Sequence, residues 1–175
     1  MKKTMLSAAI LLSLAGASMS ANAAEIQFTG KISAQTCKLS AGDLKMELPT
    51  VGISDVADLG QHNGATTVSA PVICEGAIEN AGTVTMSLMP IQGSYTANSI
   101  LVNKAQNDAA KGVGIVVLDK DSKPFNFDLG VANIEAPLVD GKANIQVSAT
   151  YAKDGSAEIT AGDVSAVLPF VMTYQ

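Results

Sequence analysis

The feature that most constrains this chain is a period of two in its apolar residues. Val84, Met86 and Leu88 alternate with Thr83, Thr85 and Ser87, and the run stops at Pro90. Ile145, Val147, Ala149 and Tyr151 alternate with Gln146, Ser148 and Thr150. Successive side chains of a strand point to opposite faces, so each run reads as a strand with one face buried and the other wet. Thr66 to Cys74 is β-branched but interrupted by Pro71, which lacks a ladder donor and predicts an edge or a bulge. Gly112 to Leu118 is apolar on both faces. Phe125, Phe127 and Leu129 predict another short strand after the polar turn Asp121-Ser122-Lys123-Pro124. Asn63-Gly64, Asp140-Gly141 and Asp154-Gly155 are turn dipeptides set between these runs. No long segment carries a helical period. About seven short strands joined by turns predict an all-β, antiparallel sandwich, and 175 residues suit one domain.

Composition removes several functions. All 11 positive residues are Lys, there is no Arg or Trp, His62 is the single histidine, and the net charge is −5. Neutralising a phosphate backbone takes clustered Lys and Arg, so no nucleic acid is expected as a partner. His62 lies in the loop Gly60-Gln61-His62-Asn63-Gly64, with nothing in the pattern to bring a nucleophile and an acid to it. No enzyme activity and no cofactor are expected. Asp119-x-Asp121 opens like a calcium loop, but Lys123 and Pro124 stand where a ligand and the glycine belong, so it reads as a turn. Gly112-x-Gly114 lacks the third glycine and the helix of a dinucleotide site. Two Cys and a distant His cannot complete a four-ligand metal site.

The first 23 residues read as a secretory signal peptide. Lys2 and Lys3 precede an uncharged apolar stretch from Met5 to about Gly16, and Ala21-Asn22-Ala23 is a small-x-small cleavage signature. The stretch is short for a membrane anchor and is interrupted by Ser7, Ser13 and Ser18. The exported chain would begin at Ala24 and carry 9 Lys against 16 acidic residues. No other segment is apolar enough to span a bilayer. Cys37 and Cys74 both fall in the exported part, where an oxidising compartment predicts a disulfide between them.

Two terminal segments alternate more cleanly than the rest. Ile26, Phe28, Gly30, Ile32 and Ala34 face one way against Gln27, Thr29, Lys31 and Ser33. At the other end, Val164, Ala166, Leu168, Phe170, Met172 and Tyr174 alternate to the penultimate residue, with Pro169 inside the run. Taken alone, each could be an ordinary terminal strand.

Together these features resemble the pilin subunits of chaperone–usher fimbriae, the type 1 and P-pilus-like family. The resemblance rests on Phe28-Thr29-Gly30-Lys31-Ile32 running into Cys37, on the spacing to Cys74 and on Val113-Gly114-Ile115-Val116-Val117-Leu118-Asp119. It rests also on Gly162, fourteenth from the end, followed by the alternating row to Tyr174. The resemblance implies an incomplete immunoglobulin-like sandwich, completed by a donor strand from another subunit. Residues 1–23 would be the signal peptide, 24–36 the donor-strand extension and 37–175 the pilin domain. Ile26, Phe28, Gly30, Ile32 and Ala34 would form the donor strand. Gly162, Val164, Ala166, Leu168, Phe170, Met172 and Tyr174 would line the groove and receive the chaperone first. The implied partners are a periplasmic pilus chaperone, an outer-membrane usher and neighbouring pilin subunits, and the implied place is a cell-surface fimbrium that contributes to adhesion. The competing reading is a self-contained exported β-sandwich that binds a sugar or a surface.

Overall fold

The computed structural model describes residues 36–59, 64–76, 82–129 and 132–175. The expected signal peptide, the donor residues Ile26, Phe28, Gly30, Ile32 and Ala34, and the loop residues His62 and Asn63 lie outside them. The described residues form eight strands: β1 (Thr36–Leu39), β2 (Thr66–Glu75), β3 (Gly82–Leu88), β4 (Leu101–Val102), β5 (Val113–Leu118), β6 (Ala132–Leu138), β7 (Lys142–Lys153) and β8 (Phe170–Tyr174). They form a five-stranded sheet in the order β1-β2-β7-β5-β4 and a three-stranded sheet in the order β6-β3-β8. Every ladder within the two sheets is antiparallel. The described residues contain two 3-10 turns, Ile53–Asp55 and Phe127–Leu129, and no α-helix.

Alternation places the core between the sheets. On the small sheet, Val84 faces Ala136 and Tyr174 across its two ladders, Met86 faces Ile134 and Met172, and Leu88 faces Ala132 and Phe170. Cross-strand neighbours on one face pack directly, so these three rows make one apolar wall. The large sheet answers with Ala70, Val72, Ile145 and Val147, all buried. At the tight end between β6 and β7, Asp140 (φ 50°) and Gly141 (φ 73°) both take positive φ. Val139 and Lys142 exchange backbone hydrogen bonds across them at 2.8 and 2.9 Å. That is the two-residue hairpin the dipeptide predicts.

Phe125 to Leu129 and Pro71 differ from the sequence expectation, and β6 is a strand in a segment not singled out from the sequence. Phe125 to Leu129 is not a strand: Pro124 makes a single bridge to Leu118, and Asn126 caps the amide of Asp128 to form a 3-10 turn. The turn drives Phe127 into the core instead. Its ring meets Tyr95 edge to face at 5.5 Å, and its amide is taken by the Ser99 hydroxyl at 2.7 Å. β6 is a full strand despite Pro137, because β6 is the edge of its sheet and a missing donor there breaks no ladder. Pro71 is not on an outer edge, since β2 lies between β1 and β7; it falls where the β1 ladder has just ended at Leu39 opposite Val72.

Cys37 and Cys74 are directly opposite in the β1–β2 register and are joined by a disulfide. The bond ties a strand of four residues to the sheet across 37 residues of sequence. Closing a loop of that length removes about 4 kcal/mol of unfolded-chain entropy in the chain-entropy model. Urea unfolding of the Cys37→Ala, Cys74→Ala double variant is expected to show a stability loss of about that size. A loss below about 1 kcal/mol would contradict a structural role for the bond.

Candidate functional site

Between the sheets, one side of the sandwich is open among the described residues. An apolar trench of about 170 Å³ has Met86, Leu88, Leu101, Val117, Val147 and Ala149 in its floor. One rim carries Leu44, Met46 and Leu48, and the other carries Ala166, Leu168 and Phe170. Leu48 is also shared with a wider recess of about 840 Å³, reached past Val164 and lined further by Val51, Ile53 and Tyr151. The trench therefore follows the rim from Phe170 back towards Gly162. Burial pushes the Tyr151 phenol above its ordinary value.

Both rims keep the strand period, the first without belonging to a strand and the second from well before its strand begins at Phe170. Along the first, Leu44, Met46 and Leu48 are half-buried while Asp43, Lys45 and Glu47 are exposed. Along the second, every even-numbered residue from Val164 to Tyr174 is half-buried, and Ser165, Val167, Val171 and Thr173 are exposed. The C-terminal strand is shorter than Val164 to Tyr174: only Phe170–Tyr174 is a strand, paired with β3. Before it, Pro169 accepts the Met89 amide at 2.7 Å through its carbonyl, and among the described residues the amides of Ala166, Val167 and Leu168 meet no backbone acceptor. Apolar side chains aligned on one face, with backbone groups unpaired beside them, are what an added strand pairs with.

Of the sequence-named groove residues on this wall, Ala166, Leu168 and Phe170 line the trench, Gly162 and Val164 line the wider recess, and Met172 and Tyr174 continue the same face along β8. Gly162 stands at its start with φ 152°, where a Cβ would strike the Asp108 carbonyl and lie 2.6 Å from the Ala110 nitrogen. The close approach lets Asp163 donate to the Asp108 carbonyl at 2.7 Å and accept from Ala110 at 3.0 Å. Tyr174 closes the far end. Its ring covers Gly82, where a Cβ would come within 2.7 Å of the ring, and Gln175 exchanges backbone bonds with Thr83 at 2.9 and 3.0 Å. The opposite rim was not singled out from the sequence. Its signal was present, three alternate apolar residues between Gly42 and Pro49, but the run is too short to stand out beside the longer ones.

Among the described residues, no reactive groups line the trench. The ion pairs among the described residues, Lys38–Glu75, Lys120–Asp121 and Lys153–Asp58, are all on exposed surface. The Lys120 ammonium hydrogen-bonded to Asp121 holds that carboxyl below its ordinary value. Asp119 uses one carboxylate oxygen to accept the amides of Asp121 and Lys123, both at 2.8 Å, so the segment is the expected turn. No group of three or more metal-ligating side chains occurs among the described residues, and none of their helices is long and apolar enough to cross a membrane. What the site offers is an apolar bed with polar backbone at its margin.

Comparison with known proteins agrees with this geometry. The family model described as "Fimbrial protein" matches residues 26–175. A type-1 fimbrial protein subunit of Serratia marcescens is 28% identical over the whole of both chains. Among solved structures, a chain of a chaperone-usher pilus superposes with a TM-score of 0.55 at 20% identity, covering 89% of this chain and 97% of that one. The P pilus rod subunit PapA superposes with a TM-score of 0.53 at 22% identity, covering 79% of this chain and 99% of its own. These likenesses extend the fold assignment over nearly the full length of the pilus chains.

Gly162 offers a direct check on the rim. Gly162→Ala puts a side chain at a positive φ and against backbone, and is expected to cost more than about 1 kcal/mol in urea unfolding. Stability equal to the parent would show that the rim does not need the close approach.

Proposed function

The chain belongs to the fimbrial protein family and is a structural pilus subunit, and from that premise we propose that it polymerises by donating residues 24–36 to the trench of a neighbouring copy. The observation that carries this reading is the pair of alternating, half-buried rims, Leu44 to Leu48 and Val164 to Phe170, on either side of an apolar floor. A strand laid between them would satisfy both backbone margins and complete the core. Affinity would come from main-chain hydrogen bonds and specificity from alternate side chains in pockets.

The donor segment has the matching pattern. Ile26, Phe28 and Ile32 would point into the trench, each contributing about 1.5 to 3 kcal/mol when buried. An apolar cavity of about 150 Å³ accepts a benzene ring, so a trench of about 170 Å³ has room for the Phe28 ring. Gly30 would let the two backbones approach closely in the middle of the strand, and Ala34 would end the row. Left bare, an open edge beside apolar surface invites aggregation. That liability is the reason to assign the wall from Gly162 to Tyr174 first to a periplasmic chaperone, then at an outer-membrane usher to the next subunit. Residues 1–23 would direct export into the periplasm, and the assembled subunits would form a surface pilus that contributes to adhesion. A self-contained binding module is disfavoured because its sandwich would have no reason to leave this side open.

Gly30→Leu is the test. The variant is expected to remain bound to its chaperone in the periplasm while surface fibres disappear from electron micrographs. Normal fibres from Gly30→Leu subunits would overturn the donor-strand role.

A further inference from the structure

The C-terminal rim has an anchor that is not part of either sheet. Between Asp163 and Pro169 the wall has no strand ladder, and its first residues lean on the loop from Asn103 to Ala110. Asn103 sits at the centre of that contact. Its side-chain nitrogen donates to the carbonyls of Ala110 at 2.9 Å and Asp163 at 2.8 Å. Its side-chain oxygen accepts the amides of Ala105 at 3.0 Å and Ser165 at 2.9 Å. An amide side chain has two donor hydrogens and two acceptor lone pairs, and here all four are used. The partners also fix its orientation, since two are carbonyls and two are N–H groups. Beside it, Lys104 donates its amide to the Ser165 carbonyl at 2.7 Å.

We propose that Asn103 is a positioning residue for subunit assembly: its amide stands in for a strand backbone and holds Asp163 to Ser165 so that the wall beginning at Val164 is set at the spacing a donor strand needs. The proposal rests on the donor-strand reading. Asn103 is not among the residues lining the narrow trench; it acts through Ser165, the residue next to Ala166 on the rim. The role requires an amide. Aspartate has the same shape but at neutral pH turns acceptor oxygens towards two carbonyls, losing two hydrogen bonds and adding repulsion. Because β2, β3 and β7 are held by their own ladders and by the disulfide, loss of the clasp is expected to loosen the rim and leave the sheets in place.

The experiment uses the oxidised exported chain, residues 24–175, refolded from denaturant directly into an excess of a synthetic peptide of residues 24–36, which is the probe and also keeps the open side from aggregating. Peptide dissociation is followed by fluorescence anisotropy and backbone protection by amide hydrogen exchange. For Asn103→Asp the peptide is expected to leave at least about tenfold faster, as the loss of hydrogen bonds to otherwise unpaired groups implies. In the peptide complex, exchange at Ser165 to Leu168 is expected to rise, with β2 and β7 unchanged. Asn103→Ser, which keeps one hydroxyl, is expected to fall between the two and provides the measurement if Asn103→Asp does not fold. Dissociation at the parent rate, or a loss of protection spread evenly through both sheets, overturns the positioning role while leaving the donor-strand reading intact. If the parent chain itself does not take up the peptide, the donor-strand reading fails and the proposal falls with it.

Discussion

The structure depends on an apolar row that has core on one side and, among the described residues, no strand on the other. Val164, Ala166, Leu168 and Phe170 face inward from a segment whose middle amides find no backbone acceptor among the described residues. Across the trench Leu44, Met46 and Leu48 face the same way from a segment with no ladder of its own. Burying apolar surface favours closing the gap, and pairing exposed backbone favours closing it with a strand. Among the described residues the chain therefore has a folded remainder and an unfinished side, and the proposed assembly follows from that side.

The rest of the fold holds that side open. β3 is the centre of the small sheet and carries β8, so the last five strand residues of the trench wall are fixed by a full ladder. The disulfide pins the short β1 to β2, from which the chain turns into the Leu44 rim. Gly162 and Asn103 secure the other end of the wall by close packing and side-chain amide bonding. A trench kept in shape without its occupant can accept one without first refolding, which lowers the ordering cost of association.

Much of this was legible in the sequence, for a physical reason. Period-two runs such as Val84 to Leu88 and Ile145 to Ala149 state both the strand and its buried face; in β7 the alternation breaks just beyond, where Thr150, expected on the wet face, is buried and Tyr151 is only half-buried. Asp140-Gly141 states the hairpin, because few residues tolerate two positive φ angles in succession. The C-terminal row was legible as a face, since its even-numbered residues point inward over the whole run. It was less legible as a strand, because the ladder depends on a neighbour and begins only at Phe170. Phe127 misled for a related reason: its alternation with Phe125 was real, but a local Asn126 cap offered the backbone a turn instead. The Leu44 rim carried the same period over too few residues to stand out, and the Asn103 clasp could not be read from spacing, since it acquires meaning only from residues far along the chain.

The central claim is that one strand is missing and that residues 24–36 supply it. The most direct measurement is the thermal stability and oligomeric state of a chimera in which Gln175 is followed by a turn and a second copy of residues 24–36. With the strand supplied in cis, the chimera is expected to be soluble, monomeric and independent of a chaperone, and to melt well above the unmodified exported chain, which alone aggregates or is degraded. Equal melting of the two proteins as isolated monomers would contradict the account, because a sandwich that gains nothing from the added strand was already complete.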